Sequence, residues 1–397
     1  MSDREIPFFE PFLGPYLVRQ DWAQALIGRY GAVTVPTGVV DVEVLRRGRP
    51  GLASVIVEAE GQMFHLVLGW RDISSERGVR GGIGSVLGPG EDRDGEVLVY
   101  DAHCDPELVS ELLLVATEGR ERAERSRSVR SLVSHSAIIF DERLFMKSYR
   151  VIEAGRRPEV ETALRLVEVG FERMSAPVGH WSRHGRDLAL VREFIPGAVE
   201  GKALAETSLR DLLARAGAGN GAAAFEDVGL AGGDLGAEML RLGAMTAEMH
   251  LALAEAFGRS PSGEIRVHGD YHLRRIMRTD SGWKVTGFGD DPLFGTEAGG
   301  PSTRRPVLAS PMEDLADLCF SLRQTAAVAV SLCTAGTRPH ALLLAEGWER
   351  HNVSSLLSGY LSFPGIGALV TEDPAELDAR VRELVEARAT GRETARA

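Results

Sequence analysis

The segment Val267-His-Gly-Asp-Tyr-His-Leu-Arg-Arg-Ile-Met-Arg concentrates the chemically useful side chains of this 397-residue sequence. Asp270 follows a glycine, stands between His268 and His272, and precedes the turn Asp280-Ser-Gly and the strand-like Trp283-Lys-Val-Thr-Gly-Phe. A carboxylate on such a loop can accept a hydrogen bond from an attacking hydroxyl, orient it and take its proton late. His268 reads first as a residue that stiffens the loop through a backbone hydrogen bond; His272 stays undecided. Lys147, one of only three lysines, lies in Leu144-Phe-Met-Lys-Ser-Tyr. Its ammonium can pair phosphate oxygens, with Glu161, fourteen residues on, holding it in place. On spacing alone, a surface lysine and an unrelated glutamate explain the pair equally well; the scarcity of lysine and the neighbours Phe145, Met146 and Tyr149 favour the chemical reading.

These side chains need a scaffold, and hydrophobic periodicity outlines one. Short alternating runs from Val33 to Trp70, such as Ser54-Val-Ile-Val-Glu-Ala, predict a β-rich region. A glycine-rich stretch, Gly81 to Gly90, has neither dinucleotide nor Walker spacing and reads as a loop. Pro106 to about Glu118 predicts a helix, and Ala137-Ile-Ile-Phe with Leu144-Phe-Met-Lys-Ser-Tyr predicts a hairpin turning at Asp141-Glu142. Pro158 opens a further helix, Leu188 to Phe194 gives a strand, and helices dominate beyond Pro196-Gly197. Ala216 to Gly236 is too rich in glycine for a stable helix. Ser310-Pro-Met-Glu and Asp373-Pro-Ala-Glu each combine an N-cap acceptor, a first-turn proline and a following carboxylate.

Composition narrows the classes of function. The charge balance of 45 basic against 57 acidic residues, −12 net, argues against nucleic acid as a partner. The arginines between Arg120 and Arg130 alternate with Glu121 and Glu124 and read as a solvated face. Three scattered cysteines, Cys104, Cys319 and Cys333, form no metal or disulfide framework, so a reduced cytoplasmic setting is expected. No leader or membrane-spanning pattern is expected either, because Glu248, His250 and Glu255 interrupt the apolar stretch from Met245 to Phe257.

The His-Gly-Asp segment before a hairpin resembles that of aminoglycoside phosphotransferases. With Lys147, Glu161, Leu68-Gly-Trp-Arg, Val99-Tyr-Asp-Ala and Ser310-Pro-Met-Glu-Asp-Leu-Ala-Asp-Leu, the resemblance narrows to the maltokinase family and extends over most of the chain. It implies an α+β, bilobal protein-kinase-like fold: a cap over residues 1–90, a β-rich nucleotide lobe over 91–196 and a helical lobe over 197–397. It also implies ATP as donor, a sugar or amino-sugar hydroxyl as acceptor with maltose the best-known case, and an enzyme of the trehalose-to-glycogen route as partner. By the same resemblance Asp270 orients the acceptor, while Ser134 and Ser136 belong to the phosphate-covering loop and Val191 to Glu193 to the adenine-reading hinge. Leu132 and Val133 depart from the family's loop pattern, which has an acidic residue before a Ser-Asn-Thr-Ser type run.

The family pattern continues His-Gly-Asp-Leu-His-Leu-Gly-Gln and later Asp-Phe-Glu-Gly-Glu-Pro, with Gln and the first Asp on magnesium. Arg275 and Gly287 stand at those positions here. Three readings follow: Arg275 supplies part of the cation's charge while Asp290, a better candidate than Asp291, becomes an oxygen ligand; the protein is a pseudokinase that binds nucleotide, sugar or protein without transfer; or the ligand has changed and Arg275 clamps it directly.

Overall fold

A computed structural model describes residues 8–28, 32–73, 85–129, 135–218, 235–288 and 308–394. Two compact units emerge, one drawn from Met1–Glu161 and Ala176–Pro196, the other from Thr162–Ser175, Gly197–Asp290 and Arg304–Ala397.

The first unit opens with helices α1 (Glu10–Leu17) and α2 (Asp21–Ile27) and a five-stranded antiparallel sheet. Its strands are β1 (Gly38–Arg46), β2 (Gly51–Ala59), β3 (Gln62–Asp72), β4 (Val86–Asp92) and β5 (Gly95–Asp101), ordered β1-β2-β3-β5-β4. Residue 90, where the sequence reading ends the cap, lies inside β4. Val55, Val57, Leu66 and Leu68 of this sheet pack with Leu13 and Leu17 of α1 in one buried cluster. After α3 (Pro106–Ala116), a second antiparallel sheet contains β6 (Ser126–Val129), β7 (His135–Phe140), β8 (Leu144–Tyr149), β9 (Pro177–Arg183) and β10 (Arg186–Glu193). Its order is β6-β7-β8-β10-β9, which makes β8 the central strand. The β7–β8 hairpin turns at Asp141 and Glu142, both with φ of 50°, the left-handed centre of a turn closed by the Arg143 amide donating to Phe140 O at 2.9 Å.

Helix α4 (Pro158–Glu168) starts among residues of the first unit and continues into those of the second. The second unit contains β11 (Val199–Glu200), α5 (Gly201–Ala218), α6 (Gly236–Phe257), β12 (Ile265–Arg266), β13 (Ile276–Thr279), β14 (Gly282–Val285), β15 (Leu308–Ala309), α7 (Pro311–Ser331), α8 (Arg338–Leu361) and α9 (Pro374–Thr394). The expected caps form: Ser310 accepts from the Met312 amide at 3.3 Å and Asp373 from the Ala375 amide at 2.9 Å. Helices α6 and α8 cross at Gly243 and Gly359. A Cβ at Gly243 would lie 2.0 Å from Leu356 O, and one at Gly359 would lie 1.9 Å from Leu240 O. That close approach brings His250 of α6 against Tyr360 of α8, with 2.9 Å between Nδ1 and the hydroxyl.

Candidate active site

In the second unit the geometry starts from a residue that the sequence reading did not single out. Asp314 lies in the first turn of α7 and is fully buried. Its Oδ2 accepts from the His268 amide at 2.7 Å, its Oδ1 from the Gly269 amide at 3.0 Å, and His250 Nε2 lies 3.1 Å from Oδ2. Burial would raise its pKa, but these donors, His250 foremost, hold it below the ordinary carboxylate value. Asp314 therefore pins the two residues before Asp270 as an anion. Gly269 turns between them at φ 81°, where a Cβ would strain the chain.

His268 stiffens the loop from the other side. Its Nε2 lies 3.0 Å from Thr286 O and must donate, so the imidazole accepts the Asp270 amide at Nδ1, 3.4 Å away. Burial pushes its pKa down to about 4, against the opposing pull of Asp314. An unfolded histidine titrates near ~6.5, so below that pH the unfolded chain takes up a proton which the folded site refuses until about 4. His65 of the first unit is likewise pushed down to about 3 by burial. Both contribute stability above ~6.5 that is lost as the pH falls. The urea midpoint is expected to drop between pH 6.5 and 4.5, and His268→Asn to flatten that slope; equal slopes for the two proteins would refute the assignment.

Asp270 itself is half-buried, and the feature that governs it is Arg275. The guanidinium, only 6% exposed, brings Nη2 to 2.5 Å and Nε to 3.2 Å from Oδ2. His272 Nε2 lies 3.6 Å from Oδ1, while its Nδ1 accepts the Arg274 amide, so the proton at Nε2 faces Asp270. Burial would raise the Asp270 pKa, but His272 and Arg275 together hold it far below the usual carboxylate range. The result is a carboxylate that is a good hydrogen-bond acceptor and a poor base.

The sheet of the first unit positions the other cation. Lys147 sits in mid-β8, 1% exposed, with Nζ 2.7 Å from Glu159 Oε2. Glu159 also accepts from Tyr149 OH at 3.2 Å and pairs with Arg192 at 3.5 Å. The expected partner was Glu161. Glu159, two residues earlier on α4, is the carboxylate found on the ammonium.

Ser136 lies on the other face of the sheet. It pairs with Ser148 across the hairpin, whereas Lys147 pairs with Ala137, so alternation puts Ser136 and Lys147 on opposite faces. Its Oγ accepts from Arg150 Nε at 2.9 Å. Ser136 and Lys147 therefore do not grip one phosphate chain from the same face. Val191 and Glu193 lie in β10, beside Met146 and Leu144 of β8. The Glu193 amide donates to Ala176 O at 2.9 Å, so it is not the donor available to an adenine edge. Ser134 and Asp290 lie outside the described residues.

Behind β8 runs a buried network that the sequence reading missed, although it starts in the Tyr-Asp-Ala run already noted. Asp101 accepts from Tyr16 OH at 2.8 Å, Arg150 Nη2 at 2.5 Å and His103 Nδ1 at 2.7 Å, and His103 Nε2 lies 2.9 Å from Ser148 Oγ. An acid–imidazole–hydroxyl chain invites comparison with a hydrolytic triad. Ser148 is 2% exposed, so the network braces the strand that carries Lys147 and offers no nucleophile to a substrate.

Magnesium, which the resemblance implies, favours hard oxygen ligands. Arg275 and Gly287 offer none, Asp270 Oδ2 is already bound to a guanidinium, and no cluster of three or more His, Cys, Asp or Glu suited to a metal occurs among the described residues. The described residues do not fit the ion. No helix among them is long and apolar enough to cross a membrane.

No family model matches the chain. Among solved structures it resembles a glucosamine kinase in complex with glucosamine, ADP and inorganic phosphate, at 17% identity and TM-score 0.56, covering 94% of this chain and 95% of that one. A second crystal form of glucosamine kinase gives 18% identity and TM-score 0.58, covering 94% of each chain. The chain therefore has the α+β, kinase-like fold seen in glucosamine kinase.

Proposed function

We propose that the protein transfers the terminal phosphoryl group of ATP to a hydroxyl of a sugar or amino sugar. The observation that carries this reading is Asp270, a carboxylate on a loop whose two preceding amides are fixed by buried Asp314. The likeness in fold to a protein solved with glucosamine, ADP and phosphate supports it. In this reaction the acceptor oxygen bonds to the γ-phosphorus as the bond to the β–γ bridging oxygen breaks, ADP leaves, and the hydroxyl proton passes late to Asp270 or to water. Because Asp270 is a weak base, orienting the hydroxyl is its main contribution. Lys147 pairs phosphate oxygens and Glu159 holds its ammonium, while Val191 to Glu193 border the adenine. The first sheet belongs to the cap, the second to the nucleotide lobe and the remaining helical part to the acceptor. Maltose is the acceptor favoured by the resemblance, and an enzyme of the trehalose-to-glycogen route the partner.

A second reading, a pseudokinase that binds nucleotide or sugar without transfer, is favoured by the Arg275 guanidinium on Asp270 Oδ2. ADP release measured over glucosamine, maltose and aminoglycosides separates the two; no sugar-dependent release with any acceptor would leave the binding module. Lys147→Met is expected to lower kcat/KM for ATP by about 10²-fold. It also strands buried Glu159, so Lys147→Met with Glu159→Gln is the folded control. A double variant that folds and retains full kcat/KM would remove Lys147 from the nucleotide site.

A further inference from the structure

The charge on the Asp270 loop is already neutralised by the protein. Nε and Nη2 of Arg275 both lie against Asp270 Oδ2, and its guanidinium is almost wholly buried. A divalent ion arriving at that oxygen would displace a buried guanidinium and leave it without its counter-charge, a heavy penalty in a low-dielectric setting. The remaining nitrogen, Nη1, makes no hydrogen bond to any described residue, so its two N–H groups can meet phosphate oxygens, for which a planar guanidinium is well shaped. The chain also holds this residue firmly: the Arg275 amide donates to His272 O at 2.8 Å, and its carbonyl accepts from the Thr286 amide at 2.8 Å and from the Thr286 hydroxyl at 3.2 Å. The cation is thus fixed beside Asp270, a positive charge of the kind that phosphoryl-transfer enzymes take from a metal ion. Gly287, at φ 75°, has no side chain to offer a metal ion an oxygen.

We propose that Arg275 takes over the charge-screening role of the divalent ion, so that nucleotide binds to this protein without magnesium. The inference rests on the nucleotide-binding part of the function proposed above and holds for both a kinase and a pseudokinase.

Calorimetric titration of the full chain with ATP, in magnesium buffer and in EDTA, tests it. Wild-type Kd is expected to change less than about 2-fold between buffers, and Arg275→Gln to weaken binding in EDTA by about 10-fold or more, one lost charged contact. A tenfold loss for the wild type in EDTA, or unchanged affinity in Arg275→Gln, would overturn the proposal. Absence of ATP binding in both buffers would be a failure of the nucleotide reading instead. Mn²⁺ titration followed by electron paramagnetic resonance then decides the metal question by itself. Mn²⁺ that stays free supports the exclusion of a divalent ion, and a stoichiometric site abolished by Asp270→Asn overturns it.

Discussion

Asp270→Asn is expected to lower sugar-dependent ADP formation by about 10²- to 10⁴-fold, the range for loss of a positioned acid–base group, while leaving ATP affinity within about 2-fold. The amide keeps the shape of the side chain but removes the negative charge that both His272 and Arg275 face. The Arg275 guanidinium would then be buried beside a neutral group, so some stability is lost along with activity. Asp270→Asn with Arg275→Gln removes both charges and separates the effects. If rate depends on the carboxylate itself, the double variant regains its melting temperature but not its turnover. Recovery of turnover would mean that Asp270 serves only to neutralise Arg275. Undiminished activity in the single variant would take Asp270 out of the reaction altogether.

The sequence made some of this legible because some of the relevant physics is local. The Asp141-Glu142 turn, the cap at Ser310 and the cap at Asp373 are each set by residues within a few positions, and each forms as expected. Glu159 went unnoticed beside Glu161 because which carboxylates of α4 meet β8 is a tertiary fact. Ser136 was placed in a loop, and a strand boundary one or two residues earlier put it on the face away from Lys147. Arg275 could be recognised as a departure, but its contact with Asp270 could not: a 3₁₀ turn over Leu273–Arg275 folds the side chain back over five residues. Asp314 was in view within a helix-start signal. Its cap neighbours explained Ser310 and Glu313, leaving no local reason to expect that the next carboxylate points inward.

That inward carboxylate supports the second large expectation. Asp314→Ala leaves the amides of His268 and Gly269 and the imidazole of His250 without their acceptor in a fully buried site, a loss of about 3–5 kcal/mol of stability, as for breaking a buried charged pair. Asp314→Asn should be milder, and the reason lies in His250. Its Nδ1 can donate to Tyr360 OH, leaving Nε2 free to accept from the new amide nitrogen. The Asn oxygen still serves Gly269, so only the His268 amide is stranded, at about 1–3 kcal/mol. Because that amide sets the approach to Asp270, kcat should fall in Asp314→Asn while ATP affinity holds. Urea titrations and initial rates on both variants decide the matter: equal losses for Ala and Asn would contradict the tautomer argument, and losses below about 0.5 kcal/mol, the level of an ordinary surface change, would show that Asp314 does not hold the loop.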